Sequence, residues 1–237
     1  MINKNHLKSS ALQFNVMLDD TALERFDRYA ELLVFWNKRI NLTTITEPRE
    51  IEEKHFLDSL AFLKYTSPTK NSSLIDIGTG AGFPGLALLI ARPDLKITLL
   101  DSTKKKLNVI ENILNELHLS ANLIHMRAEE AGQNPEFREK YDYSTARAVA
   151  NLRDLSEYCL PFVKLHGEFI ALKGSSGKDE LNEGKAAITL LGGKTQGFYT
   201  FKLPDGSERS IIKIKKIKNT PKKYPRPSAK IARTPLI

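Results

Sequence analysis

Cysteine is nearly absent: Cys159 is the only one in 237 residues, which excludes an internal disulfide and suits a reducing compartment. No apolar run approaches the ~20 residues that a membrane-crossing helix requires. The opening Met1-Ile2-Asn3-Lys4-Asn5-His6 lacks the apolar stretch of a signal peptide, so a cytoplasmic protein with no membrane association is expected. Histidines stand at 6, 55, 118, 125 and 166, too scattered for a ligand set, and no structural metal is expected. Acidic residues are missing altogether from Arg209 onward, where ten Lys or Arg occur. The preceding residues carry 26 basic and 28 acidic side chains, so the net charge of +8 is a C-terminal property. Such a stripe suits nucleic-acid phosphate. Tyr224, Pro225 and Arg226 in the same tail favour RNA contact over the alternative, a solvated edge strand protected from pairing, a role open to Lys213, Lys215 and Lys218.

What is present is concentrated in residues 74–86, Leu-Ile-Asp-Ile-Gly-Thr-Gly-Ala-Gly-Phe-Pro-Gly-Leu. Residues 73–77 read as a buried strand, and the glycines at 78, 80, 82 and 85 read as a tight loop that a ligand can approach closely. Pro84 suits the first turn of a following helix. Gly80-x-Gly82-x-x-Gly85 alone also fits a dinucleotide fingerprint. Asp76 favours another ligand, because a fixed carboxylate at a helix N-terminus repels pyrophosphate and attracts an ammonium or sulfonium group. S-adenosylmethionine carries both and no phosphate. A glycine-rich turn with a surface aspartate is the bland alternative.

The apolar run 97–101 ends in Asp101, placed for ribose hydroxyls or for capping the helix expected over 103–118, with Ser102 and Thr103 as competing caps. A third run, 122–126, leads to Arg127-Ala128-Glu129-Glu130, a position for an adenine edge or for an exposed charge pair. Further strands are expected at 142–147 and 167–172, with helices at about 85–91, 128–132, 151–163 and 176–191. This alternation makes a doubly wound, mostly parallel sheet. Runs at 197–203 and 208–217, joined through Asp205-Gly206, read as an antiparallel hairpin, typical of methyltransferases and atypical of the NAD fold. Residues 1–70 read as helical, with a capping box at Thr21-x-x-Glu24 and apolar positions at Leu23, Phe26, Ala30 and Leu33. A second helix should start near Pro48 and run through Phe56, Leu60 and Leu63.

Several segments together carry a family resemblance: Trp36-Asn-Lys-Arg-Ile-Asn41-Leu-Thr43, His55-Phe-Leu-Asp58-Ser-Leu60, Asp76 to Gly85, Asp101-Ser-Thr-Lys-Lys105, Arg127-Ala-Glu-Glu130, Ala146-Arg-Ala148, Leu172-Lys-Gly174 and Tyr224-Pro-Arg226. In this order they resemble the bacterial small-subunit ribosomal RNA methyltransferase G family, also called glucose-inhibited division protein B. The resemblance implies an α/β, Rossmann-like class I methyltransferase that moves a methyl group from S-adenosylmethionine to guanine N7 in 16S rRNA. It implies an N-terminal helical extension at 1–70, a cofactor-binding core at 71–217 and a basic tail at 218–237. Cofactor contacts are expected from Gly78, Phe83, Asp101, Ala128, Glu129 and Arg147, and RNA contacts from Asn41, His55, Arg147, Lys173, Arg209 and Arg226. Arg147 has a bland alternative as a surface ion pair with Glu129 or Asp142, and His55 as a half-buried neighbour of Asp58. Guanine N7 carries a free lone pair, so no general base is expected. The tail departs from the family pattern at Pro227-Ser228-Ala229, where a glycine is common, and an aromatic-rich stacking surface is missing. Substrate choice is then expected to rest on a folded RNA shape or on ribosomal protein context, with 16S rRNA met within the 30S subunit or its precursor and the enzyme a monomer. Competing readings are a methyltransferase for protein or small molecules, a non-catalytic RNA-binding factor, and an NAD-dependent oxidoreductase.

Overall fold

Residues 74–77 alternate their side chains across a strand: Leu74 enters one apolar core, and Ile75 and Ile77 enter another on the opposite face. That division runs through the whole sheet and produces a three-layer α/β/α protein, described here over residues 1–237 by a computed structural model. In chain order the elements are α1 (Lys4–Ala11), α2 (Asp20–Asn37), α3 (Pro48–Glu50), a π-helical stretch (Ile51–Leu57), α4 (Asp58–Thr66), β1 (Ser73–Ile77) and α5 (Gly85–Ala91). There follow β2 (Lys96–Asp101), α6 (Lys104–Glu116), β3 (Asn122–His125), α7 (Ala128–Gln133), β4 (Tyr141–Arg147), α8 (Leu152–Cys159) and β5 (Val163–Lys173). The chain closes with α9 (Gly177–Leu190), β6 (Gly193–Lys202), β7 (Glu208–Lys216) and α10 (Ser228–Arg233).

The seven strands lie in the order β3-β2-β1-β4-β5-β7-β6. β1 to β5 pair in parallel, while β7 inserts antiparallel between β5 and β6. Strand order reverses between β1 and β4, and a ligand crevice opens at the carboxyl ends of strands beside such a switch point. One face of the sheet is covered by α5, α6 and the helices before residue 67, which share a single core with Leu74, Leu99, Ile170 and Ile211. The other face packs α7, α8 and α9 together with Tyr224 and Leu236 of the C-terminal segment. No helix is long and apolar enough to cross a membrane.

Several local expectations need correction. The cap of α2 is Asp19, whose carboxylate accepts from Ala22 N at 2.7 Å, so Thr21 already lies inside the helix. Pro84 occupies the N-cap position of α5 instead of its first turn, after a cis Phe83–Pro84 bond. The helix expected from Pro48 widens over Ile51–Leu57, where Asp58 N reaches Glu53 O in an i→i+5 bond. Such widened turns re-aim side chains and recur at functional sites.

Candidate active site

Two clefts open side by side along the carboxyl edge of the sheet and share Val149 and Ala150, the residues that follow β4. The first, about 440 Å³, lies over the ends of β1, β2 and β3. Its floor includes Ile77, Gly78 and Leu100, and Asp101, Ala128 and Glu129 line it. Asp101 is 5% exposed and ties two loops together, accepting from Gly80 N at 2.9 Å and Thr103 N at 2.8 Å. Each oxygen keeps a further lone pair for a ligand hydroxyl. The ribose role thus stays open, whereas the capping role is not met: the N-cap of α6 is Thr103, no side chain caps that helix, and at that end Asp101 holds only the N–H of Thr103 itself.

Gly78 has φ +67, and a Cβ placed there would stand 2.8 Å from Val149 Cγ2. The missing side chain keeps the wall between the two clefts thin. Gly82, at φ +101, lets the hydroxyl of Tyr29 reach the loop and donate to Ala81 O at 2.6 Å. Through Tyr29 the second helix of the chain therefore buttresses the glycine loop from beneath. Tyr29 lies three residues beyond Phe26, on the apolar face already visible in the sequence.

Asp76 lines neither cleft. The carboxylate expected to meet a cationic ligand directly is fully buried and holds the loop from inside, accepting from Thr79 Oγ1 at 2.7 Å and Gly85 N at 2.9 Å. Burial raises its pKa to about 6 against the pull of those two donors. Its other oxygen, Oδ1, has no partner, and a buried orphan acceptor in a ligand-binding loop calls for a donor that arrives with the ligand or with water. Phe83, expected to touch the cofactor, also sits inside the loop. It lines neither cleft, its N–H is spent on Thr79 O at 3.0 Å, and its ring stacks between Tyr29 and His55, with centroids 5.2 and 4.4 Å away.

The second cleft, about 600 Å³, lies over β4 and β5 and is lined by Lys54, His55, Asp58, Arg147, Lys173 and Arg209 among others. Arg147 organises it. Its guanidinium donates to Asp58 Oδ2 at 3.0 Å, Lys54 O at 3.0 Å and His55 Nδ1 at 2.9 Å, and lies 4.9 Å from the Phe83 ring centroid. The ion-pair partner is Asp58, the first residue of α4 directly after the π-helical stretch, rather than Glu129 or Asp142. Arg147 also lines the second cleft and not the first, and its guanidinium touches the glycine loop through the ring of Phe83.

Because Nδ1 of His55 accepts from Arg147, Nε2 carries the proton and donates to Thr43 Oγ1 at 2.9 Å. Burial and the Arg147 charge lower the His55 pKa to about 3, so the ring is neutral. The unfolded chain binds this proton below about pH 6.5 while the native chain does not, so His55 withdraws stability as pH falls through 6.5 toward 3. Asp76 acts oppositely between 3.8 and about 6, where the native chain keeps the proton that the unfolded chain releases. Urea titrations of wild type and His55→Gln should therefore converge as pH falls below 6.5, by up to about 1.4 kcal/mol per pH unit. Parallel curves contradict a neutral buried ring.

The remaining expected RNA-contact residues divide. Lys173 lines the second cleft with 7% side-chain exposure, held by Glu180 at 2.7 Å and Ala150 O at 2.5 Å. Arg209 lines it as well, 3.5 Å from Asp58. Asn41 is exposed and lines neither cleft; its neighbour Thr43 is the residue that reaches His55. Arg226 is no free cation, because its N–H and guanidinium close three bonds of 2.7–2.8 Å on Glu157, which is 1% exposed. Half of the basic C-terminal stripe is consumed in this way: besides Arg209 and Arg226, Lys213 and Lys215 pair with Glu168, and Lys216 pairs with Glu139. Lys218, Lys222, Lys223, Lys230 and Arg233 stay exposed. Sequence reasoning missed Asp58 as a site residue, along with Val149 and Glu180. The signal for Asp58 was its place in the His55–Leu60 segment.

The antiparallel β7, the glycine loop after β1 and the carboxylate ending β2 together define a Rossmann-like methyltransferase. The fold agrees with solved structures: a SAM-dependent O-methyltransferase from Thermotoga maritima (TM-score 0.51, 13% identity, 80% of this chain and 72% of that one) and TrmN from Thermus thermophilus (0.53, 15%, 68% and 48%). A family model described as rRNA small subunit methyltransferase G matches residues 22–212. Proteins named ribosomal RNA small subunit methyltransferase G are similar nearly end to end. That of Bacillus subtilis is 46% identical over 95% of both chains, and that of Clostridium novyi 45% over 98% of this chain and 96% of its own. The chain belongs to the rRNA small subunit methyltransferase G family.

The first cleft fits the methyl donor of that family. Its size falls in the usual range for a cofactor pocket, and Asp101 offers acceptors to a ribose. The residues that would hold the donor are Gly78, Asp101, Ala128 and Glu129.

Proposed function

We propose that the chain methylates N7 of a guanosine in small-subunit rRNA, with the donor in the first cleft and the guanine in the second. The observation that carries this reading is the shared Val149–Ala150 rim, which leaves only a thin wall between two differently built clefts. When bound, S-adenosylmethionine supplies an electrophilic methyl group. The second cleft sets four cations, Lys54, Arg147, Lys173 and Arg209, against the carboxylates Asp58 and Glu180. An excess of positive charge in a concave site draws in a phosphate-bearing chain. His55, neutral and with both ring nitrogens engaged, is not a base. None is needed, because the N7 lone pair attacks before any proton moves. The chain's task is alignment, which can contribute roughly 7–11 kcal/mol in the best cases. The Phe83 ring serves it by joining the glycine loop to His55 and Arg147.

In our reading the acceptor is the assembled 30S particle or its precursor, and the enzyme works as a cytoplasmic monomer. Few aromatics face the second cleft, which supports recognition of folded RNA over stacking on a flexible strand. Incubation with methyl-labelled donor and unmodified 30S subunits, followed by nucleoside mass spectrometry, should yield 7-methylguanosine, with far less on a short naked oligonucleotide. Label on another atom, or on protein, contradicts the proposal.

A further inference from the structure

The last twenty residues are not a loose arm. Lys216, fully buried at the end of β7, donates to Leu160 O at 2.6 Å and lies 3.2 Å from Glu139. Arg138 holds Thr220 O at 2.7 Å and Tyr224 O at 2.8 Å, and Gln133 holds Pro225 O at 2.9 Å. A Cβ on Gly132 would come within 2.8 Å of Pro225, so α7 and this segment meet backbone to ring. Arg226 then clamps Glu157 of α8, and its remaining amino group donates to Thr234 O at 2.9 Å, tying the far end of α10 to its beginning.

The clamp has a consequence for the first cleft. Asp154 and Tyr158, one on each side of Glu157 in α8, line that cleft, and so do Ser228, Ile231 and Ala232 of α10. Ser228 and Ala232 are four residues apart and share a helix face. Ile231 is 1% exposed yet belongs to neither apolar core. Six residues are too few to hold a helix without tertiary support, so α10 depends on the clamp below it and on whatever fills the cleft beside it.

We propose that residues 218–237 form a wall of the donor cleft, with Ser228 and Ala232 bordering the bound nucleoside while Ile231 and the Arg226–Glu157 pair seat them. This rests on the first cleft being the donor site. Ligand binding and tail docking then stabilise one another by linkage, and the segment that looked like an RNA arm serves the small molecule.

The test uses the full chain and S-adenosylhomocysteine. Saturating ligand should slow tryptic cleavage after the exposed Lys230 and Arg233 about tenfold, leaving cleavage after the exposed Lys38 unchanged. By calorimetry, Ala232→Glu, a change at an exposed position, should weaken ligand binding about tenfold or more. Arg226→Gln should weaken it in the same direction, with its fold checked by circular dichroism. Ligand that binds wild type normally but gives no protection, together with an Ala232→Glu affinity within about twofold of wild type, overturns the proposal. A tail protected by 30S subunits and not by the ligand also overturns it, returning the segment to RNA. Wild type that takes up no ligand at all is a different result, and it removes the assignment of the cleft itself.

Discussion

Replacing Arg147 with alanine is expected to lower folding stability by about 3–5 kcal/mol and to reduce methyl transfer below detection. Arg147 and Asp58 are 14% and 7% exposed, so the change strands a desolvated carboxylate with only Arg209, at 3.5 Å, for company. The same change frees His55 Nδ1 and removes a cation from the face of Phe83. Adding Asp58→Asn should restore part of the stability, since the stranded charge is then gone, and none of the transfer. Arg147→Lys should fail too, because an ammonium cannot reach Asp58, Lys54 O and His55 in the geometry of a planar fork. Denaturation midpoints and single-turnover transfer, measured on the four proteins, separate the two effects. Stability and transfer recovering together in the double variant would make Arg147 a structural residue only.

Gly78→Ala should weaken S-adenosylhomocysteine binding by about 10- to 100-fold. Two causes add. The residue has φ +67, which costs a side chain about 1–2 kcal/mol. Its Cβ also meets Val149 Cγ2 at 2.8 Å, pushing Val149 from the rim that both clefts share. Val149→Ala in the same chain should relieve the contact but not the backbone strain, so calorimetry should show partial recovery. Full recovery would assign the whole effect to the side-chain contact, and no loss in Gly78→Ala would mean that the loop does not border the donor.

The parallel strands were readable to within one or two residues at most ends, because buried strands appear as short apolar runs closed by polar punctuation. β1 is the clearest instance, and its boundaries coincide with the run at 73–77. The hairpin was readable through Asp205-Gly206, whose glycine takes φ +82. What escaped depends on pairs far apart in sequence. The direction of Asp76 follows from strand alternation, which places it on the same face as Leu74 and turns it inward. Lys213, Lys215, Lys216 and Arg226 looked free because their partners, Glu139, Glu157 and Glu168, lie tens of residues upstream. α1 offers only Leu7 and Ala11 to the core, too weak a stripe for periodicity to detect. The π-helical turn has no composition signal, and it is what carries His55 and Asp58 to Arg147.

The division of labour between the two clefts is tested most directly by crystallising the chain with S-adenosylhomocysteine. Density for the nucleoside is expected between Asp101 and Ala128–Glu129, with the sulfur turned toward the Val149–Ala150 rim and the Arg147–Lys173 cleft left open for the base. Density for the ligand among Arg147, Lys173 and Arg209 would contradict that division.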